Sequence, residues 1–111
     1  MKLFVTGRDG KERELEGLEG WRVMEIIRDY GREDPAIMVK AECGGAMACA
    51  TCHVYVANEW VDRLVPPHDD EQNMLLDYAF DVRSNSRLSC QILMSEELDG
   101  LKVTVAPGTE P

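Results

Sequence analysis

Cys43-Gly44-Gly45-Ala46-Met47-Ala48-Cys49-Ala50-Thr51-Cys52 places three thiols within ten residues, and the fourth cysteine of the chain, Cys90, follows after thirty-seven more. Apart from the cysteines, Met47 and Thr51 are the only residues of this stretch larger than alanine. Small side chains let a backbone wrap closely around a centre and aim its N–H groups at sulfur, where they offset negative charge. Three thiolates on one tight loop and a fourth from a distant strand describe a closed four-sulfur site that ties two parts of the chain together. A two-iron cluster held this way has no ligand position open to a substrate, so its reversible chemistry is the gain and loss of one electron.

Other uses of four cysteines accommodate the pattern less completely. Structural zinc is usually built from two paired knuckles, whereas Cys43 and Cys90 each stand alone. Disulfides suit neither a reducing compartment nor a Gly/Ala loop. Cys49-Ala50-Thr51-Cys52-His53 matches the haem-attachment pattern to the letter, but haem attachment leaves Cys43 and Cys90 without a role. A thioredoxin-like dithiol opens a helix, and His53-Val54-Tyr55-Val56 reads instead as a strand.

Outward from the cysteines, Lys2 to Thr6 and Glu12 to Glu16 flank Gly7-Arg8-Asp9-Gly10, a hairpin signal carried by the Asp-Gly pair. Val23, Ile26, Ile27 and Tyr30 recur at helical spacing, and Gly31 marks the stop. Glu25 sits where the second half of a capping box belongs, although Arg22 at the cap offers no acceptor oxygen. A second helix is expected from Pro67 to Asp81, with Leu75, Ala79 and Val82 on one face and Asp70, Asp77 and Asp81 on the other. Short β-like runs occupy Ile37 to Val39, His53 to Val56, Leu88 to Ile92 and Leu101 to Val105. The expected class is α+β, a sheet with helices on one side, forming a single domain over residues 1–106 with a loose tail at 107–111.

The whole chain has 111 residues, of which 44% are hydrophobic and 30% charged, with twenty-one acids against twelve Lys plus Arg and a net charge of −9. One core fits that length. The acidity excludes a phosphate-binding surface of the kind nucleic acids need, and no apolar run approaches a membrane span. Met1 to Asp9 lacks the apolar segment of a secretory signal, so a cytoplasmic protein is expected. Residues 64 to 82 hold Asp69, Asp70, Glu71, Asp77 and Asp81 and neither Lys nor Arg. Such a field raises encounter rates with basic partners.

The five-residue gap between Cys43 and Cys49, taken with Cys52-His53-Val54-Tyr55-Val56 and Ser86-Arg87-Leu88-Ser89-Cys90-Gln91-Ile92, resembles the adrenodoxin and putidaredoxin branch of the [2Fe-2S] ferredoxins. The similarity extends to Val23-Met24-Glu25, Asn73-Met74-Leu75 and Glu97-Leu98-Asp99-Gly100. It implies a β-grasp fold and a [2Fe-2S] cluster, with Cys43 and Cys49 on the outer iron and Cys52 and Cys90 on the inner. It also implies that His53 tethers the cluster loop to the segment after the acidic helix, that Glu71 pairs with Arg87, and that Gly44 and Gly45 support the loop. By the same resemblance the acidic face meets an FAD-containing ferredoxin reductase, and Glu42 the electron acceptor. That acceptor is a haem-thiolate monooxygenase or the iron–sulfur assembly machinery. The implied protein is a monomeric electron carrier, not an enzyme; a zinc-stapled interaction module is the competing class. Leu76 stands where close relatives carry an acid.

Overall fold

The computed structural model describes residues 1–39 and 51–109. Its opening hairpin follows the sequence alternation: β1 (Lys2–Thr6) buries Leu3 and Val5 and pairs antiparallel with β2 (Glu12–Glu16), Lys2 opposite Glu16 and Thr6 opposite Glu12. The turn closes through Gly10 N–H to the Gly7 carbonyl at 3.0 Å, with Gly10 at φ +78°, a conformation that costs glycine little. Asp9 accepts hydrogen bonds from Arg13 Nη1 and Nη2 at 2.6 and 2.7 Å and from the Lys11 N–H. The Arg13 guanidinium holds the Asp9 carboxyl well below the usual carboxylate range.

Helix α1 (Val23–Gly31) buries Val23, Met24, Ile26 and Ile27. Tyr30 turns outward, where its hydroxyl accepts the Glu16 N–H at 3.3 Å. At the start of the helix the Glu25 carboxylate accepts the Arg22 N–H at 3.0 Å, which supplies half of a capping box. The last residue of the helix, Gly31, has no room for a side chain: a Cβ there would lie 2.8 Å from Met38 Sδ and 2.9 Å from Met38 Cα.

The remaining elements are β3 (His53–Val56), α2 (Asn58–Val61), α3 (Asp69–Tyr78), β4 (Ser86–Leu88) and β5 (Leu101–Val105). The strand order is β2-β1-β5-β3-β4; β1 and β5 run parallel and the other neighbours antiparallel. This mixed sheet with its helices is the α+β, β-grasp arrangement. Leu101, Val103 and Val105 of β5 face inward by alternation, while all four residues of β3 are buried. The core joins these side chains to α1 and to Ile37, Val39, Ile92 and Met94. No helix among the described residues is long and apolar enough to cross a membrane.

Four expectations need correction. Ile37 to Val39 is not a strand; Ile37 and Val39 are fully buried, and the Ile37 N–H closes a turn onto Asp34. An apolar run of that length signals burial without fixing its geometry. The run from Leu88 to Ile92 leaves the sheet after Leu88 and continues as a 3-10 turn, Ser89–Gln91. Helix α3 ends at Tyr78, so Val82 lies beyond it, and its inner face is Glu71 and Leu75 rather than Leu75, Ala79 and Val82. The described part of the tail is fixed: Thr109 is buried, accepts Arg8 Nη2 at 2.8 Å and donates to the Ala106 carbonyl at 2.7 Å.

Candidate metal centre

Cys52 immediately precedes β3, and Cys90 lies in the turn that immediately follows β4. The β3/β4 ladder pairs His53 with Leu88 and thereby closes the long gap between the two cysteines. Ser89 then locks the junction, donating its N–H at 3.1 Å and its hydroxyl at 2.7 Å to the Cys52 carbonyl. Both thiols are free of disulfide and buried, and each shifts the other's ionisation. Cys52 pulls the Cys90 thiol down by stabilising its thiolate, and Cys90 in turn pushes the Cys52 thiol up, with burial adding to the rise.

Two soft sulfur donors side by side in a buried site suit thiolate-held iron. Cys43 and Cys49, the other two expected ligands, lie outside the described residues with Glu42, Gly44 and Gly45. Among the described residues no group of three or more His, Cys, Asp and Glu forms a different metal site.

The strand that carries Cys90 is held from the side by α3. Glu71, 2% exposed, accepts Arg87 Nε at 2.8 Å, Arg87 Nη2 at 3.2 Å and the Leu88 N–H at 2.9 Å. Arg87 also donates from Nη1 to the Val65 carbonyl at 2.9 Å. One carboxylate therefore binds the guanidinium in a fork and caps an N–H on the outer edge of β4, an edge strand of the sheet.

His53, fully buried, lies 2.7 Å through Nε2 from Ser86 Oγ, which itself accepts the Arg83 N–H at 2.8 Å. Burial pushes the imidazole down to about 4, so it is neutral at pH 7. These bonds join β3 to the segment between α3 and β4.

Asp70 and Asp77 are exposed on α3, but Asp81 is not part of their stripe. It lies past the helix end at φ +49°, a left-handed position that Asp tolerates better than most residues. Its carbonyl accepts the Tyr55 hydroxyl at 2.6 Å, and its carboxylate accepts Arg83 Nη2 at 2.9 Å. Asp81 is thus turned toward the protein's own cation.

Gln91 was not singled out by the sequence, although its Nε2 donates to Cys90 Sγ at 3.4 Å. Ser89, next to Cys90, carries a sequence signal; Ser86 meets His53 only through the fold, thirty-three positions apart.

Residues 8–95 match the family described as the 2Fe-2S iron-sulfur cluster binding domain. Putidaredoxin of Pseudomonas putida is 38% identical over 104 residues, covering 94% of each chain. The mitochondrial adrenodoxin homolog of Saccharomyces cerevisiae is 36% identical over 105 residues, 95% of this chain; the match spans 58% of the yeast protein. A chain in the crystal structure of the covalent putidaredoxin reductase–putidaredoxin complex superimposes with a TM-score of 0.86 at 38% identity, covering 96% of this chain and 98% of that one.

Proposed function

This chain belongs to the [2Fe-2S] ferredoxins of adrenodoxin and putidaredoxin type, electron-transfer proteins rather than enzymes, and on that premise we propose a pathway for its electron. In this reading it accepts single electrons from an NAD(P)H-linked, FAD-containing ferredoxin reductase and passes them to a haem-thiolate cytochrome monooxygenase. When bound, the cluster supplies reversible one-electron chemistry. Cys43, Cys49, Cys52 and Cys90 would hold it, Cys52 and Cys90 as the inner pair and Cys43 and Cys49 as the outer. Gly44 and Gly45 would give the loop room for it, and His53, Glu71 and Arg87 fix the strands that present the inner pair.

The observation that carries the pathway is the outer face of α3, with Asp69, Asp70 and Asp77 exposed and no Lys or Arg between residues 64 and 82. Long-range attraction to a basic surface raises encounter rate more than affinity, which suits a carrier that must leave each partner quickly. Four thiolates and two sulfides outweigh two ferric ions by two charges, so the loaded protein is more acidic than its −9 indicates. The likeness to a ferredoxin held on its reductase supports the donor side. Glu42, beside Cys43, is assigned to the acceptor contact. We further infer a monomer working in the cytoplasm, with the chain forming a single domain.

The test is NADH-driven reduction of a monooxygenase through the cognate reductase, and absence of electron flow to every monooxygenase of the source organism sinks this acceptor. Deleting the gene distinguishes the assembly machinery as acceptor, because a general loss of iron–sulfur enzymes would follow. For the ligand set, Cys90→Ala is expected to lose the visible colour, iron and labile sulfide together and to destabilise the fold. A fully loaded Cys90→Ala protein would remove that residue from the set.

A further inference from the structure

Cys90 is only 2% exposed, yet it lies directly beneath the surface. Its neighbour Gln91 is exposed and lines a groove of about 330 Å3 that also takes in Val65, His68 and Leu93. The Gln91 side chain folds back and donates Nε2–H to Cys90 Sγ at 3.4 Å. A thiolate can only accept, so the NH2 end of the amide is the end that belongs against it.

The backbone around this side chain is fixed on both sides. Ser89 is bonded twice to the Cys52 carbonyl, and the Ile92 carbonyl accepts the Val23 N–H of α1 at 2.8 Å. The Ile92 N–H closes the turn onto Ser89 at 3.3 Å. Arg22, at the start of α1, places a positive charge that favours the Cys90 thiolate, while Glu71 opposes it. The sulfur therefore sits among opposing charges, with the Gln91 amide aimed at it as a donor.

We propose that Gln91 is a positioning residue for the electron-transfer reaction: its amide hydrogen bond to Cys90 Sγ holds the reduced form of the cluster down in free energy and so raises the reduction potential. The inference rests on Cys90 being a cluster ligand. Reduction adds one electron and breaks no bond, and part of the added negative charge falls on the ligand sulfurs. A donor bond strengthens as its acceptor becomes more negative, so the bond stabilises the reduced form more than the oxidised one.

The experiment compares wild type with Gln91→Met, which keeps length and removes the donor, and Gln91→Glu, which replaces the donor with an acceptor bearing negative charge. Iron and labile sulfide are counted first, and each midpoint is then measured by spectroelectrochemical titration. A colourless wild type would overturn the ligand reading itself. With all three loaded, Gln91→Met is expected to lower the reduced-to-oxidised ratio at the wild-type midpoint by up to about tenfold, which is 59 mV for a one-electron couple. Gln91→Glu is expected to shift it further in the same direction, with the urea midpoint of Gln91→Met unchanged. A loaded Gln91→Met protein whose ratio stays within about twofold of wild type, or moves toward reduction, overturns the proposal. Loss of the cluster from both variants would overturn it as well, since Gln91 would then be needed for assembly of the site rather than for its potential.

Discussion

Asp70 and Glu71 occupy successive positions of α3, yet Asp70 stands in solvent while Glu71 is 2% exposed and accepts three hydrogen bonds. A step of about 100° around the helix separates the two environments. The inner carboxylate acts at contact distance on one guanidinium and one N–H, where salt screens little. The outer one acts at long range, through a field that salt weakens over a Debye length of about 10 Å at 0.1 M. Two acids of nearly the same chemistry thus meet different surroundings: Glu71 fixes the strand that leads into Cys90, whereas the role proposed for Asp70 is to help a partner find the surface.

The largest effect expected from breaking this contrast is on the inner side. Arg87→Ala leaves Glu71 buried without its cation and should cost about 3–5 kcal/mol, read as a drop in unfolding free energy in urea, with cluster loss at lower denaturant. Glu71→Gln keeps an oxygen for the Leu88 N–H and should cost less. An Arg87→Ala protein as stable as wild type would show that the fork and the strand cap are incidental to the site.

Reversing the outer side should separate the two roles by leaving stability alone. With Asp70→Lys and Asp77→Lys together, unfolding free energy should change by no more than about 0.5 kcal/mol at Asp77 and about 1 kcal/mol at Asp70, which lies in the first turn of α3 at the positive end of its dipole. Reduction by the reductase at low ionic strength should slow by about tenfold or more, and its salt dependence should flatten. Stopped-flow reduction across a salt series measures both. Unchanged rates at low salt would return the stripe to ordinary solvated charge.

The same contrast marks what the sequence could disclose. The Lys2–Thr6 and Glu12–Glu16 hairpin and α1 were legible because their signals are local: alternation, an Asp-Gly turn and apolar residues at helical spacing. That Cys52 and Cys90 share a site was legible from the cysteine pattern, and the ladder that brings them together follows from two strands, one visible as a short β-like run and one only at its Leu88 end. The end of α3 was not legible, because neither Gly nor Pro follows Tyr78; the chain turns extended at Ala79, and Tyr55 of a distant strand holds the Asp81 carbonyl beyond it. Ser89 leaves its strand for a bond to Cys52, and Thr109 is fixed by Arg8, which lies 101 positions earlier. These are long-range bonds from side chains whose types permit many partners, so no local pattern announces them.

Leu76 offers the finest division of the outer face. It is 72% exposed, beside Asp77 and one turn beyond Gln72 and Asn73, on a face otherwise polar and acidic. An exposed leucine adds nothing to a long-range field, so a docking role for it would begin only after contact, by giving up water to an apolar site on the partner. Leu76→Ala should therefore leave the salt dependence of reductase encounter intact and raise the apparent KM by a few-fold at every ionic strength, as expected for about 0.5–1 kcal/mol of lost apolar contact. Leu76→Asp should add the steering that the leucine lacks, steepening the salt dependence while keeping the contact loss. If Leu76→Ala instead changed the salt slope and left high-salt KM untouched, the apolar side chain would be shaping the acids around it rather than touching the partner.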